Sequence, residues 1–174
     1  LHILLDASAS MYGKRMELAT ASCHAIASAC SGIRGLNITI TAFNGNHRGD
    51  ACSVYPLLKS GQPVHARINL MPSGGTPLAP ALWWVMQQLL FTREQRKMLL
   101  VLTDGQPHDM NATQKAIETA SKIGLEVYGL GMLDRSIGDF LLDPSRVICR
   151  LEELPAMLFE LLHDVLTRKS RPCL

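Results

Sequence analysis

Asp6-Ala7-Ser8-Ala9-Ser10 sets a carboxylate and two hydroxyls at alternate positions near the start of the chain. Two later stretches carry related groups: Ser73-Gly74-Gly75-Thr76-Pro77 and Thr103-Asp104-Gly105. If Asp6, Ser8, Ser10, Thr76 and Asp104 share one crevice, every donor there is oxygen, with no Cys or His pattern at ligand spacing beside them. Such a set suits a hard cation: magnesium, manganese or calcium. A hydroxyl can give its proton to Asp6 or Asp104 while offering a lone pair to the ion, so the carboxylates organise the site without all binding directly. Few charged ligands leave the ion electrophilic, and it then favours a carboxylate supplied from outside to complete an octahedron.

Each piece also has an ordinary explanation. Ser8 or Ser10 alone reads as a helix N-cap, Thr76 before Pro77 as an N-cap followed by proline in the first turn, and Asp104-Gly105 as a turn. Capping does not require these groups to stand after two different strands, and Pro80 would spoil the first internal hydrogen bond of a helix starting at Thr76.

Helical and strand periods alternate along the chain. Leu1 to Leu5 reads as a core strand. Met16, Ala19, Cys23, Ile26 and Cys30 step by three and four as a helix stripe, stopped by Gly32 and Gly35. Leu36 to Phe43 is a half-buried strand, Gly45 to Asp50 a turn, and Cys52 to Leu58 a hairpin partner that makes one antiparallel edge. A weak helix is expected around Val64 to Asn69. The loop Met71 to Thr76 then leads to a helix with stripe Leu78, Leu82, Val85 and Leu89. Met98 to Thr103 is apolar on both faces, as a central strand covered on each side should be. A helix from about Ala112 to Ile123 ends at Gly124, followed by strands at Leu125 to Gly131 and Val147 to Cys149. Leu154, Met157, Leu158, Leu161, Leu162 and Val165 give a closing helix one broad apolar face, and residues 169–174 form a polar tail beyond a domain of residues 1–168. No repeat or linker interrupts this order. The pattern predicts an α/β doubly wound, mostly parallel sheet with right-handed crossovers, whose ligands bind outside the carboxyl ends of the strands at the switch point.

A chain of 174 residues, 47% apolar, can bury one sizeable core. Seventeen basic against fifteen acidic residues leave a net charge of +2, which argues against electrostatic capture of nucleic acid. No apolar run approaches the ~20 residues of a membrane span. Five cysteines, an odd number in a chain too large to need staples, point to a reducing compartment, the cytoplasm. A chain that opens inside a strand without an initiator Met reads as a piece of a longer protein. Cys23 and Cys30 lie on the buried stripe, and Cys173 in the tail is the thiol expected to oxidise. His108, four residues past Asp104, reads by default as a solvated loop residue, and could instead overlook the crevice and meet a partner. No HxxxH pair suggests zinc hydrolysis. Of the adjacent Trp83 and Trp84 at most one can face the core squarely, and Arg93, Arg96 and Lys97 read as a solvated basic connection.

Asp6-Ala7-Ser8-Ala9-Ser10, Thr76 in Gly-Gly-Thr-Pro and Asp104 in Leu-Thr-Asp-Gly resemble, in order and strand placement, the three-part metal-ion-dependent adhesion site (MIDAS) of the von Willebrand factor A (vWA) domain family. The resemblance covers nearly the whole chain and implies a Rossmann-like vWA fold. By it, Ser8, Ser10 and Thr76 are direct ligands of Mg2+, or of Mn2+ or Ca2+, and Asp6 and Asp104 bind through water or behind the ligands. Ala9 stands where the family commonly has Gly. Leu100 to Pro107 (LVLTDGQP) and the Gly-Gly-Thr-Pro-Leu-Ala loop look most like the C-terminal vWA domain of the CobT-type subunit of aerobic cobaltochelatase, which works with an AAA+ ATPase partner in cobalamin biosynthesis.

Three functions follow. The first is a metal-dependent binding module, without chemistry of its own, whose ion captures an acidic side chain of a protein partner. An extracellular adhesion-type vWA domain is the second, disfavoured by the odd cysteine count. The third is a Mg2+-dependent phosphatase with Asp6 as phosphoryl acceptor, but that chemistry wants a second Asp two residues on, and position 8 is Ser. Gly13-Lys14 lacks the frame of a phosphate-binding loop.

Overall fold

The computed structural model describes residues 1–46, 51–64, 68–133, 136–139, 145–148 and 151–153, with positions 156–157, 159–160, 163 and 167 beyond them. Strands β1 (His2–Asp6), β2 (Thr39–Gly45), β3 (Cys52–Leu58), β4 (Lys97–Thr103), β5 (Leu125–Met132) and β6 (Ser145–Ile148) form one sheet in the order β3-β2-β1-β4-β5-β6. All neighbours pair parallel except β2 with β3, the antiparallel edge. Helices α1 (Lys14–Cys30), α2 (Leu78–Leu90) and α3 (Met110–Lys122) cover the sheet.

Alternation along the strands divides the core in two. Met98, Leu100 and Leu102 of β4 join Ile3 and Leu5 of β1 and the α1 stripe of Met16, Ala19, Cys23, Ile26 and Cys30. Leu99 and Val101 point the other way, with Leu4, to meet Leu82 and Val85 of α2 and Ala116 and Ala120 of α3. Burying one such large side chain contributes about 1.5–3 kcal/mol, so a strand apolar on both faces is anchored by both layers. Its place in the sheet follows: β4 lies beside β1, and between them the strand order reverses. The carboxyl ends of these two strands carry Asp6 and Asp104.

Capping does not account for the motif hydroxyls, as the sequence argued, and the expectation for Arg96 needs correction. Thr76 is not an N-cap. The α2 cap is Pro77, without a side-chain hydrogen bond, and Pro80 falls in the first turn, where no internal N–H is required; the first such bond is Ala81 N–H to the Pro77 carbonyl at 3.3 Å. Neither serine caps α1, since Gly13 holds that position and Ser8 precedes a short 3-10 turn (Ala9–Met11) without capping it through its side chain. Arg96 is not merely solvated: it forks onto Glu126 at 2.6 and 2.8 Å, and the Tyr128 hydroxyl donates to the same carboxylate at 2.6 Å. The tryptophans divide as their adjacency demands, Trp83 43% exposed and Trp84 packed against the core. Of the helix expected around 64–69, the described residues Val64, Ile68 and Asn69 are not helical; the turn at 45–50 falls largely on residues outside the described ones, as do Cys149, Cys173, most of the closing apolar face and the 168/169 boundary. Among the described residues no helix is long and apolar enough to cross a membrane.

The loop leading to Thr76 is braced from two sides. Ser73 N–H donates to the Ala7 carbonyl at 2.9 Å and Ala9 N–H to the Gly74 carbonyl at 3.0 Å, while Gly45 N–H at the end of β2 donates to Gly75 at 2.8 Å. Gly74 has φ +69°, and a Cβ there would collide with the Gly45 carbonyl. Gly74→Ala should therefore cost more than about 1 kcal/mol in urea denaturation. Gly32→Ala, with open space around the added methyl and no positive φ, should stay within about 0.5 kcal/mol. Equal stability of the two variants would show that the loop tolerates displacement.

Candidate metal centre

The β1–β4 register pairs Leu5 with Leu102, so the next residues, Asp6 and Thr103, stand side by side at the strand ends. Thr103 donates its hydroxyl to Asp6 Oδ2 at 2.6 Å, and Ser8 N–H donates to Asp6 Oδ1 at 2.8 Å. Asp6 is thus fully buried with both oxygens occupied. Burial pushes its carboxyl up to about 6, against hydrogen bonding from Thr103 and from the backbone and side chain of Ser8, and with help from the nearby Asp104 charge.

From there a chain of hydroxyls crosses the crevice. Ser10 Oγ donates to Asp104 Oδ1 at 2.8 Å and lies 3.0 Å from Ser8 Oγ. A hydroxyl has one hydrogen, and that of Ser10 goes to Asp104, so Ser8 is the donor to Ser10. Lone pairs remain on both serine oxygens, and a cation can use them without breaking either bond. Ser10 is exposed, but Ser8 and Thr76 are buried, because the braced loop folds over the turn after β1.

Thr76 arrives by main-chain ties. Its N–H donates to His108 Nε2 at 3.3 Å and its carbonyl accepts from His108 N–H at 3.2 Å. The ring lies so close over Gly75 that a Cβ there would strike it. His108, exposed at the rim, therefore holds the loop in place through both its ring and its main chain. Among the described residues no hydrogen bond joins the Thr76 hydroxyl to the other four candidates, which form one connected group.

Two contributors escaped the sequence reading. Thr103 was legible only as a hydroxyl beside Asp104, and its hold on Asp6 depends on strand register. Arg15, in the first turn of α1, brings Nε to 3.2 Å from Asp104 Oδ2 without hydrogen-bond alignment, and its Nη1 donates to the Ser10 carbonyl at 3.3 Å. Nothing in its spacing marked it.

Among the described residues no group of three or more His, Cys, Asp or Glu side chains is arranged to hold an ion. A cation in this crevice would have to rely on hydroxyl oxygens backed by carboxylates, and the serine lone pairs meet that requirement. The donor chemistry fits a hard divalent ion.

A doubly wound sheet with this polar group at its switch point defines the class of protein. Residues 1–143 match the von Willebrand factor type A domain, and the chain belongs to that family. Among solved structures it is similar to manganese-loaded TRAP protein of Plasmodium vivax, at 16% identity and TM-score 0.64, covering 90% of this chain and 70% of that one. The SpRpn10 VWA domain is 14% identical with TM-score 0.67, covering 90% and 93%. Proximal thread matrix protein 1 of the mussel byssus, with a zinc-occupied MIDAS motif, is 14% identical with TM-score 0.65; the chain matches 92% of its own length to 44% of that protein. A sequence comparison with curated proteins gives no match.

The raised Asp6 carboxyl has a defined sign. Because the folded state takes up its proton near pH 6 and the unfolded chain near 3.8, the metal-free fold loses up to about 3 kcal/mol from this group as pH rises through that window. His2, held down to about 4 by burial, acts oppositely between about 4 and 6.5. The Asp6 contribution is therefore the difference between wild type and Asp6→Asn. In chelator, Asp6→Asn should gain stability relative to wild type on going from about pH 5 to about pH 7. A constant difference across that range would contradict the assignment.

Proposed function

We propose that the domain is a divalent-metal-dependent protein-interaction module. In this reading Asp6, Ser8, Ser10, Thr76 and Asp104 hold one Mg2+ or Mn2+, and an acidic side chain of a protein partner completes the ion's shell. The observation that carries it is the hydrogen-bonded run from Ser8 through Ser10 to Asp104, beside a buried Asp6, at the β1–β4 switch point. When bound, the ion supplies a Lewis-acidic position for the partner's carboxylate. The chain's own part is to hold the hydroxyls: Asp104 orients Ser10, Ser10 orients Ser8, and Thr103 with the Ser8 N–H fixes Asp6. The manganese and zinc occupying two similar structures support the reading.

A finer assignment rests on Leu100 to Pro107 and the Gly-Gly-Thr-Pro-Leu-Ala loop: a cytoplasmic cobaltochelatase-like subunit that uses Mg2+ and works beside an AAA+ ATPase. The module would then join the subunits through the ion and leave covalent chemistry to the assembly.

Calorimetric titration of the chelator-stripped domain with Mg2+ or Mn2+ should show one saturable site, lost in Asp6→Ala. Ser10→Ala and Thr76→Ala should keep their unfolding free energy to within about 1 kcal/mol yet lose at least about tenfold in metal affinity. Unchanged binding in all three variants would place the ion elsewhere. For the finer assignment, metal insertion into a tetrapyrrole by an AAA+ ATPase assembly should require this domain and fail with Ser10→Ala; insertion indifferent to the domain rejects it.

A further inference from the structure

Arg15 is a cation where a helix does not want one. It stands in the first turn of α1, at the positive end of the helix dipole, and its Nε lies 3.2 Å from Asp104 Oδ2. Through Nη1 it also donates to the Ser10 carbonyl at 3.3 Å. It thus touches two members of the oxygen cluster. The pair straddles the mouth of the crevice, with the Asp104 side chain 2% exposed and that of Arg15 40% exposed. Lys14, in the same turn, is exposed, and among the described residues no hydrogen bond or ion pair joins it to the cluster. What offsets the unfavourable dipole at Arg15 is the carboxylate it faces.

We propose that Arg15 is a built-in counter-charge that sets the division of affinity between the ion and the incoming carboxylate. The proposal rests on the metal-site reading above. Asp6 and Asp104 bring two negative charges and Arg15 one positive, so the crevice presents one net negative charge to a divalent ion. Occupied, it presents one net positive charge, which a single carboxylate neutralises. Without Arg15 the empty crevice would hold the ion more tightly, and the occupied one would be neutral and attract a carboxylate less. Because the guanidinium is partly exposed, it can also meet the second oxygen of an arriving carboxylate, in the fork geometry that arginine offers. The partner this favours carries an isolated Asp or Glu; a partner surface dense in Lys or Arg is repelled.

The two effects have opposite signs, which separates this role from a structural one. Mn2+ titrated into chelator-stripped wild type, Arg15→Gln and Arg15→Lys at low salt gives the ion affinity. Acetate titrated into the Mn2+-loaded proteins, followed by the loss of water-proton relaxation enhancement, gives the carboxylate affinity. Arg15→Gln should bind Mn2+ roughly three- to tenfold tighter and acetate weaker by a similar factor, and both differences should shrink in about 0.5 M salt. Arg15→Lys should stay near wild type. Wild-type binding of Mn2+ with Arg15→Gln unchanged in both affinities overturns the role of Arg15 alone, and so does a fall in both affinities together, the mark of a structural lesion. A wild type that binds no Mn2+ overturns the metal-site reading and this proposal with it.

Discussion

The hydrogen bond from Thr103 to the buried carboxylate of Asp6 is the joint on which the site depends. It ties the ends of β1 and β4 at the switch point, where the strand order reverses. A carboxylate without solvent is costly unless its oxygens are met, and here one oxygen receives the Thr103 hydroxyl and the other the Ser8 N–H. The second bond bends the chain after β1 and turns Ser8 toward Ser10. Satisfying one buried charge therefore shapes the serine turn, and the same carboxyl remains poorly solvated, with its proton affinity raised.

Around that floor the site is built in two grades of rigidity. Asp6, Ser8 and Thr103 are buried, and the loop to Thr76 is fastened by main-chain bonds to Ala7, Ala9, Gly45 and His108. Ser10 and His108 are exposed, and Arg15 half-buried, at the rim. In the proposed reading, a surface that admits an ion and then a partner's side chain needs exchangeable outer groups, whereas the spacing of the donors needs a fixed base. The glycine pair serves the base: Gly74 lets β2 approach, and Gly75 leaves room for the His108 ring.

The motif residues were legible in the chain because their chemistry is local. Asp6, Ser8 and Ser10 follow an apolar strand at spacing two, and Asp104 ends a strand whose apolar character on both faces announces a central position. The antiparallel edge at Cys52–Leu58 was likewise readable as a hairpin partner returning after a turn. Helix caps do not follow from residue type alone. Thr76 and the serines have the right residue type for N-caps, yet Pro77 and Gly13 hold those positions, since the loops pass through contacts that no local propensity records. Ala9 needs no glycine, because among the described non-glycine residues only Leu133 has a positive φ.

By itself the sequence determined the alternation of strands and helices, the two-sided core, the all-oxygen character of the site and the family to which the chain belongs; these follow from periodicity and residue type, which are properties of neighbours along the chain. Only the tertiary structure decided that Thr103 holds Asp6, that His108 latches the Thr76 loop and that Arg15 faces Asp104. Those contacts join residues separated by 97, 32 and 89 positions, and they depend on strand register and on where the first turn of α1 comes to rest. A one-residue slip of β4 against β1 would keep every motif in the sequence and dissolve the site, because side chains on a strand change face with each residue.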